Sequence, residues 1–167
     1  MRNLFSVKYR ILHGSLILII ALMWTAFIFM QSTNNAVEST QESNKVVETV
    51  EKVCESVGIQ ITNIDSLTGI IRKSAHFIEF GILGALSFIT IRAYRLKPLA
   101  FMLLPIGYCL AVATTDEYIQ TFSSGRSCQV SDVLIDISGA TFVILIFIAI
   151  TLLLGRRKRK TLVKNSN

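Results

Sequence analysis

Apolar residues along this chain gather in four long runs separated by polar segments. The first covers residues 11–30 and is interrupted only by His13, Gly14 and Ser15 near its start and by Thr25. The others cover residues 70–91, 98–116 and 131–154. A helix crosses the roughly 30 Å hydrocarbon core of a bilayer in about 20 residues, so each run is near spanning length. The pattern predicts an all-α integral membrane protein: a single domain over residues 1–167, folded as a four-helix bundle. It leaves no room for a separate soluble catalytic domain.

Residues 31–69 have a different rhythm. Val46, Val50, Val53 and Val57 recur at spacings that mark one face of an amphipathic helix from about Ala36 to Val57. Lying between the first and second spans, this helix is expected outside the bundle, either as a lid over a site or packed in the interface.

Composition supports the membrane assignment: 51% of the residues are hydrophobic and the mean hydropathy is +0.55. The net charge of +6 is unevenly placed. Arg2, Lys8 and Arg10 precede the first run; Arg92, Arg95 and Lys97 separate the second from the third; Arg156 to Arg159, Lys160 and Lys164 follow the fourth. Four spans put all three clusters on one side, and basic short loops and tails mark the cytoplasmic side. In 31–69, Lys45 and Lys52 are outnumbered by Glu38, Glu42, Glu48, Glu51, Glu55 and Asp65. Both termini are therefore expected in the cytoplasm, with 31–69 external and 155–167 a basic cytoplasmic tail.

Attraction to anionic lipid headgroups accounts for that tail. No aromatic platform, RNA-binding module or zinc-ligand spacing accompanies it, so nucleic acid is not an expected partner. The first run is longer than a signal-peptide core and ends without an Ala-x-Ala site, which favours a retained anchor. The three cysteines form no CxxC framework. Cys109 reads as a small apolar filler, and Cys54 and Cys128 read as free thiols, although external placement would permit a disulfide.

Ionisable residues within or beside membrane spans are costly and therefore point to a site. Arg72, His76 and Glu79 are spaced i, i+4, i+7; Asp116 and Gln120 are i, i+4; Asp132, Asp136 and Gly139 are i, i+4, i+7. Each helix thus offers one polar stripe. At 1.5 Å per residue, Glu79 lies roughly 20 Å above Arg92 and His76 roughly 24 Å, while Asp116 lies roughly 27 Å above Pro98 and Asp136 roughly 28 Å above Gly155. The stripes share one layer near the external face.

His76, Glu79, Asp116 and Glu117 are the candidate acid/base groups. Arg72, Lys73, Gln120, Arg126, Asp132 and Asp136 are the candidate ligand-binding groups. Arg126 follows Gly125, whose freedom to turn lets the guanidinium present a bidentate fork to phosphate or carboxylate. The acidic groups with His76 would also suit zinc, magnesium or manganese, but no two-histidine motif defines a metal and no cofactor is assigned. Pairing of the carboxylates with Arg72, Lys73 and Arg126 is the competing, purely structural account. Gly81, Gly84 and Gly139 read as close-packing positions between helices, and Ser123, Ser124 and Ser127 as loop residues.

The ordered set of motifs resembles the VanZ-like family of small bacterial membrane proteins. It comprises Phe29-Met30-Gln31-Ser32; Lys73, His76, Phe77, Glu79 and Phe80; Asp116, Glu117, Gln120 and Phe122; Gly125-Arg126; and Ser131, Asp132, Asp136 and Gly139. Two positions depart from the family's pattern: Phe80 stands where tyrosine is common, removing a hydroxyl, and Asp136 where asparagine is common, adding a negative charge. The resemblance implies a multi-pass protein of the bacterial cytoplasmic membrane with a cell-envelope role, some members being linked to teicoplanin resistance. Its expected partners are membrane lipids and an envelope precursor or lipoglycopeptide; it names no protein partner. Two function classes stay open: an enzyme acting on an outer-leaflet lipid or wall precursor, and a noncatalytic binding or accessory protein. No P-loop, dinucleotide fingerprint or nucleophile elbow is present.

Overall fold

The computed structural model describes residues 2–59, 61, 63–95, 100–126 and 128–164, and no strand occurs among them. Lys97, Pro98 and Ser127 lie outside the described residues, as do the side chains of Arg2, Glu42 and residues 156–164. Five helices follow one another: α1 (Arg2–Ser32), α2 (Ala36–Ser56), α3 (Ile64–Ala93), α4 (Ala100–Gln120) and α5 (Val130–Lys164).

The helices outrun the apolar runs that predict them. α1 takes in the basic segment before residue 11, α3 begins six residues before residue 70, and α5 continues through the basic tail as far as Lys164. Side-chain caps set two of these boundaries. Asn63 accepts a hydrogen bond from the backbone N–H of Ser66 and starts α3. Asn35 and Glu38 form a reciprocal capping box that starts α2 directly after α1.

Among the described residues, three helices are long and apolar enough to cross a membrane, within Val7–Ser32, Ile64–Ala93 and Val130–Gly155. α4 is 21 residues long but carries Asp116 and Glu117 near its end, and it is not among the three. Much of its outward surface is nonetheless apolar: Met102, Leu103, Leu104 and Leu110 are exposed, like Leu16, Ile19 and Met23 of α1 and Phe142, Leu145 and Leu153 of α5. Exposed apolar surface on this scale marks an interaction surface, here one suited to lipid.

Cross-helix contacts fix the directions. Ser15 bonds Tyr94 and the Trp24 indole donates to the carbonyl of Glu79, so α1 and α3 run antiparallel. Thr25 bonds Tyr108 and Ser32 bonds Asp116, so α1 and α4 run parallel. Phe77 meets Gly139 and Phe88 meets Phe147, so α3 and α5 run parallel. α3 packs against all the others, and the core between them holds Ile28, Phe80, Leu83, Val112 and Ala140. Cys109 is fully buried there. All three cysteines are free.

α2 packs on α3 with a different face from the one its valines suggest. Ser43 and Val47 are buried, whereas Val46, Val53 and Val57 stay exposed and Val50 is half-buried. The inward face is turned by about one residue, with Val47 its most deeply buried member and the Ser43 hydroxyl satisfied by the Ser39 carbonyl of the same helix. Its first N–H, from Ala36, donates to the carbonyl of Ser124 at 3.1 Å, which ties α2 to the loop after α4.

Candidate functional site

The end of α1, the start of α3, the end of α4 and the start of α5 meet at one pole of the molecule. Close packing of α3 on α5 is what brings their polar residues together. A Cβ added to Gly139 would lie 2.1 Å from the carbonyl oxygen of Phe77, and one added to Gly84 would lie 2.7 Å from the carbonyl oxygen of Ala140. Only glycine permits backbones to approach so closely. His76 precedes Phe77, and Asp136 sits one turn before Gly139, so the same contact sets Asp136 beside His76.

The result is a compact charged cluster. His76 Nδ1 lies 3.3 Å from Asp136 Oδ1, within ion-pair range. Among the described residues neither atom makes a hydrogen bond, and the second oxygen of Asp136 has no hydrogen-bond partner either. Asp136 is nevertheless fully buried.

Asp116, equally buried, is by contrast held on both oxygens. Ser32 donates to Oδ1, and Gln120 Nε2 donates to Oδ2 at 2.8 Å. Ser32 is itself fixed, because Ser123 donates to its carbonyl at 2.8 Å. One ligand-type atom from each of His76, Asp116 and Asp136 lies within 4.8 Å of the other two.

A cavity of about 240 Å³ reaches His76 and Asp116 of this cluster but not the buried Asp136. The stripe predicted on α3 lines it intact, with Arg72, His76 and Glu79 all present, joined by Asp116 and by Arg126 from the loop after α4. Gln31 and Ser32 close one side, and Ser39, Ser43 and Val46 of α2 form part of the wall. A smaller recess of about 80 Å³ shares Arg72, His76 and Arg126 and adds Gln120, Gln129 and Asp132. Gly125 takes φ +79° at the turn that delivers Arg126, a backbone conformation glycine adopts without strain.

Besides the buried Asp136, two sequence candidates line neither recess. Lys73 is exposed and lines a shallow apolar surface with Ile70, Phe77 and Ile135, outside the cavity. One residue along a helix turns the side chain by about 100°, so Lys73 and Arg72 face different surroundings. Glu117 is buried but lines neither recess; its Oε2 accepts the backbone N–H of Gln129 at 2.8 Å, pinning the segment that leads into α5.

Several site residues carry no role in the sequence reading. Ser32 is one, although it closes the Phe29–Ser32 motif. Ser123 reads as a plain loop residue but is buried and bonded to α1. The i, i+4 pair Ser39 and Ser43 is the signal in the sequence for the cavity-facing side of α2.

The arrangement can hold an anionic group between two guanidiniums, and it can hold a cation among an imidazole and two carboxylates. Comparison with known proteins places the chain in context: a family model described as VanZ/LLP1 matches residues 16–153. No curated protein and no solved structure matches.

Proposed function

We propose that this chain, which belongs to the VanZ/LLP1 family, is a four-span protein of the bacterial cytoplasmic membrane. In this reading it binds the anionic headgroup of a cell-envelope lipid or wall precursor at the outer face. The observation that carries the reading is the convergence of Arg72 and Arg126 on one cavity with His76 and Asp116, walled on one side by α2. Two arginines lining a shared cavity suit the planar, bidentate recognition of phosphate or carboxylate. The apolar outer surfaces of α1, α4 and α5 would hold that cavity beside lipid, and the basic clusters at 8–10, 92–95 and 156–160 would keep the opposite pole cytoplasmic.

Binding comes before chemistry in this reading. Asp116 has both oxygens engaged by Ser32 and Gln120, an arrangement that orients a group rather than leaving it free to exchange protons. An effect on glycopeptide susceptibility would follow if the bound species is the precursor such antibiotics recognise. Mass spectrometry of lipids and precursors that co-purify with the protein in mild detergent tests the proposal. An anionic envelope species enriched with wild type and lost with Arg126→Ala is expected. Identical profiles for the two would overturn it. A species whose cellular level changes as well would identify the bound molecule as a substrate.

A further inference from the structure

We propose that His76, Asp116 and Asp136 form a binding site for one divalent transition-metal ion of the zinc or manganese class, where His76 and Asp116 line the cavity and Asp136 lies buried beside His76. The three side chains come from three different helices and converge with ligand atoms within 4.8 Å of one another.

Asp136 provides the independent observation. It is fully buried, and among the described residues neither of its oxygens accepts a hydrogen bond. A buried carboxylate whose one close charge partner, His76, makes an ion pair but no hydrogen bond keeps unfilled acceptor positions, which is costly. The nearest donor-bearing side chain, His76, sits 3.3 Å away but is not aligned to give a hydrogen bond. Asp116 cannot help, because it is a second carboxylate in the same small space and adds repulsion. A cation among the three removes both problems at once.

The donor set narrows the ion. An imidazole nitrogen with two carboxylate oxygens suits zinc or manganese; calcium prefers a larger all-oxygen shell, and no cysteine or methionine thioether is in the set to favour copper(I). Three protein ligands leave a fourth position open toward the cavity, the arrangement of zinc sites that act on a substrate. Ligand atoms around a tetrahedral ion at about 2.1 Å stand about 3.4 Å apart, and His76 Nδ1 and Asp136 Oδ1 are already 3.3 Å apart. Ser32 and Gln120 already orient Asp116 from behind, as outer-shell groups do for metal-ligating carboxylates.

The site shares its cavity with the proposed headgroup pocket, and so the inference rests in part on that reading. An ion there would give the bound anion a third positive contact beside Arg72 and Arg126. The two proposals fail separately, since metal content reports on the ion and lipid co-purification on the headgroup.

The test uses the full chain in mild detergent with Cys54→Ser and Cys128→Ser, which removes adventitious thiol ligands. It is stripped with a chelator, reloaded with zinc or manganese alone, desalted and measured for metal per chain. About one ion per chain is expected, with loss of most of it in Asp136→Asn and in His76→Gln. Arg126→Ala should keep the ion while losing the headgroup. A rise in the melting temperature of the stripped parent on adding the metal supplies a second reading that does not depend on the variants folding. Metal content equal in the parent, Asp136→Asn and His76→Gln, or a parent that binds none and does not shift, would overturn the proposal.

Discussion

Gly139 presses its backbone against the carbonyl of Phe77 so closely that a methyl group in its place would overlap the oxygen. Asp136 and His76 lie at 3.3 Å because of that contact. The site's geometry is thus set by a residue with no side chain, located about one helical turn below the charges it positions.

Gly139→Ala should therefore push α5 away from α3. Overpacking at a tight contact costs about 1–3 kcal/mol, and the variant should melt at a lower temperature and lose bound metal and headgroup together. Gly107→Ala is the control: a Cβ there meets nothing, and replacing a helical glycine by alanine favours the helix by about 0.5–1 kcal/mol. Thermal unfolding of both variants in detergent checks the pair. Equal melting temperatures would show that the α3–α5 contact can relax.

Ser32 ties the end of α1 to Asp116 of α4 and is buried at 3% exposure. Ser32→Ala leaves Asp116 Oδ1 without its donor, a loss worth about 1–3 kcal/mol for a buried polar group. A double-mutant cycle with Asp116→Asn should show a coupling of about 0.5–3 kcal/mol, as expected for groups in one network. Additive effects would mean the two side chains act independently.

The stripe Arg72, His76, Glu79 is legible in the sequence because helical periodicity puts i, i+4 and i+7 on one face whatever the tertiary fold, and all three line the cavity. Periodicity is silent on which face meets which neighbour. It cannot tell that Glu117, one position after Asp116, turns away from the cavity to hold the N–H of Gln129. Nor can it tell that α2 presents Ser43 and Val47 inward while Val53 and Val57 stay exposed. The valine spacing marks a face that is off by one residue from the one that Val47 and Ser43 bury. Gly81, Gly84 and Gly139 are legible as packing positions from their small size alone, and each meets atoms of the opposing helix.

Arg72 and Lys73 are adjacent cations with different surroundings, and their variants should separate accordingly. Arg72 lines both recesses, whereas Lys73 is exposed beside Ile70 and Ile135. A hydrogen bond to a charged group contributes about 1.5–3 kcal/mol, or roughly a tenfold to hundredfold change in affinity. Arg72→Ala should weaken binding of the co-purifying anion by that factor, and Lys73→Ala should leave it within about fivefold, since an exposed charge contributes at most about 1 kcal/mol. Titration of delipidated protein with the recovered species measures both. Equal losses would move the anion site out of the cavity.

The free thiols test which side of the membrane the cavity faces. Cys128 is exposed in the segment before α5, on the same pole as Arg126, while Cys109 is buried within α4. If that pole is external, a membrane-impermeant maleimide added to intact cells should label a Cys54→Ser variant at Cys128 without lysis. Cys109 should react only after denaturation, because labelling requires an accessible thiolate. Labelling at Cys128 that appears only in lysed cells would place the pole in the cytoplasm and invert the proposed topology. The anionic ligand would then have to be sought among lipids and metabolites of the inner leaflet, with the cavity and its two arginines unchanged.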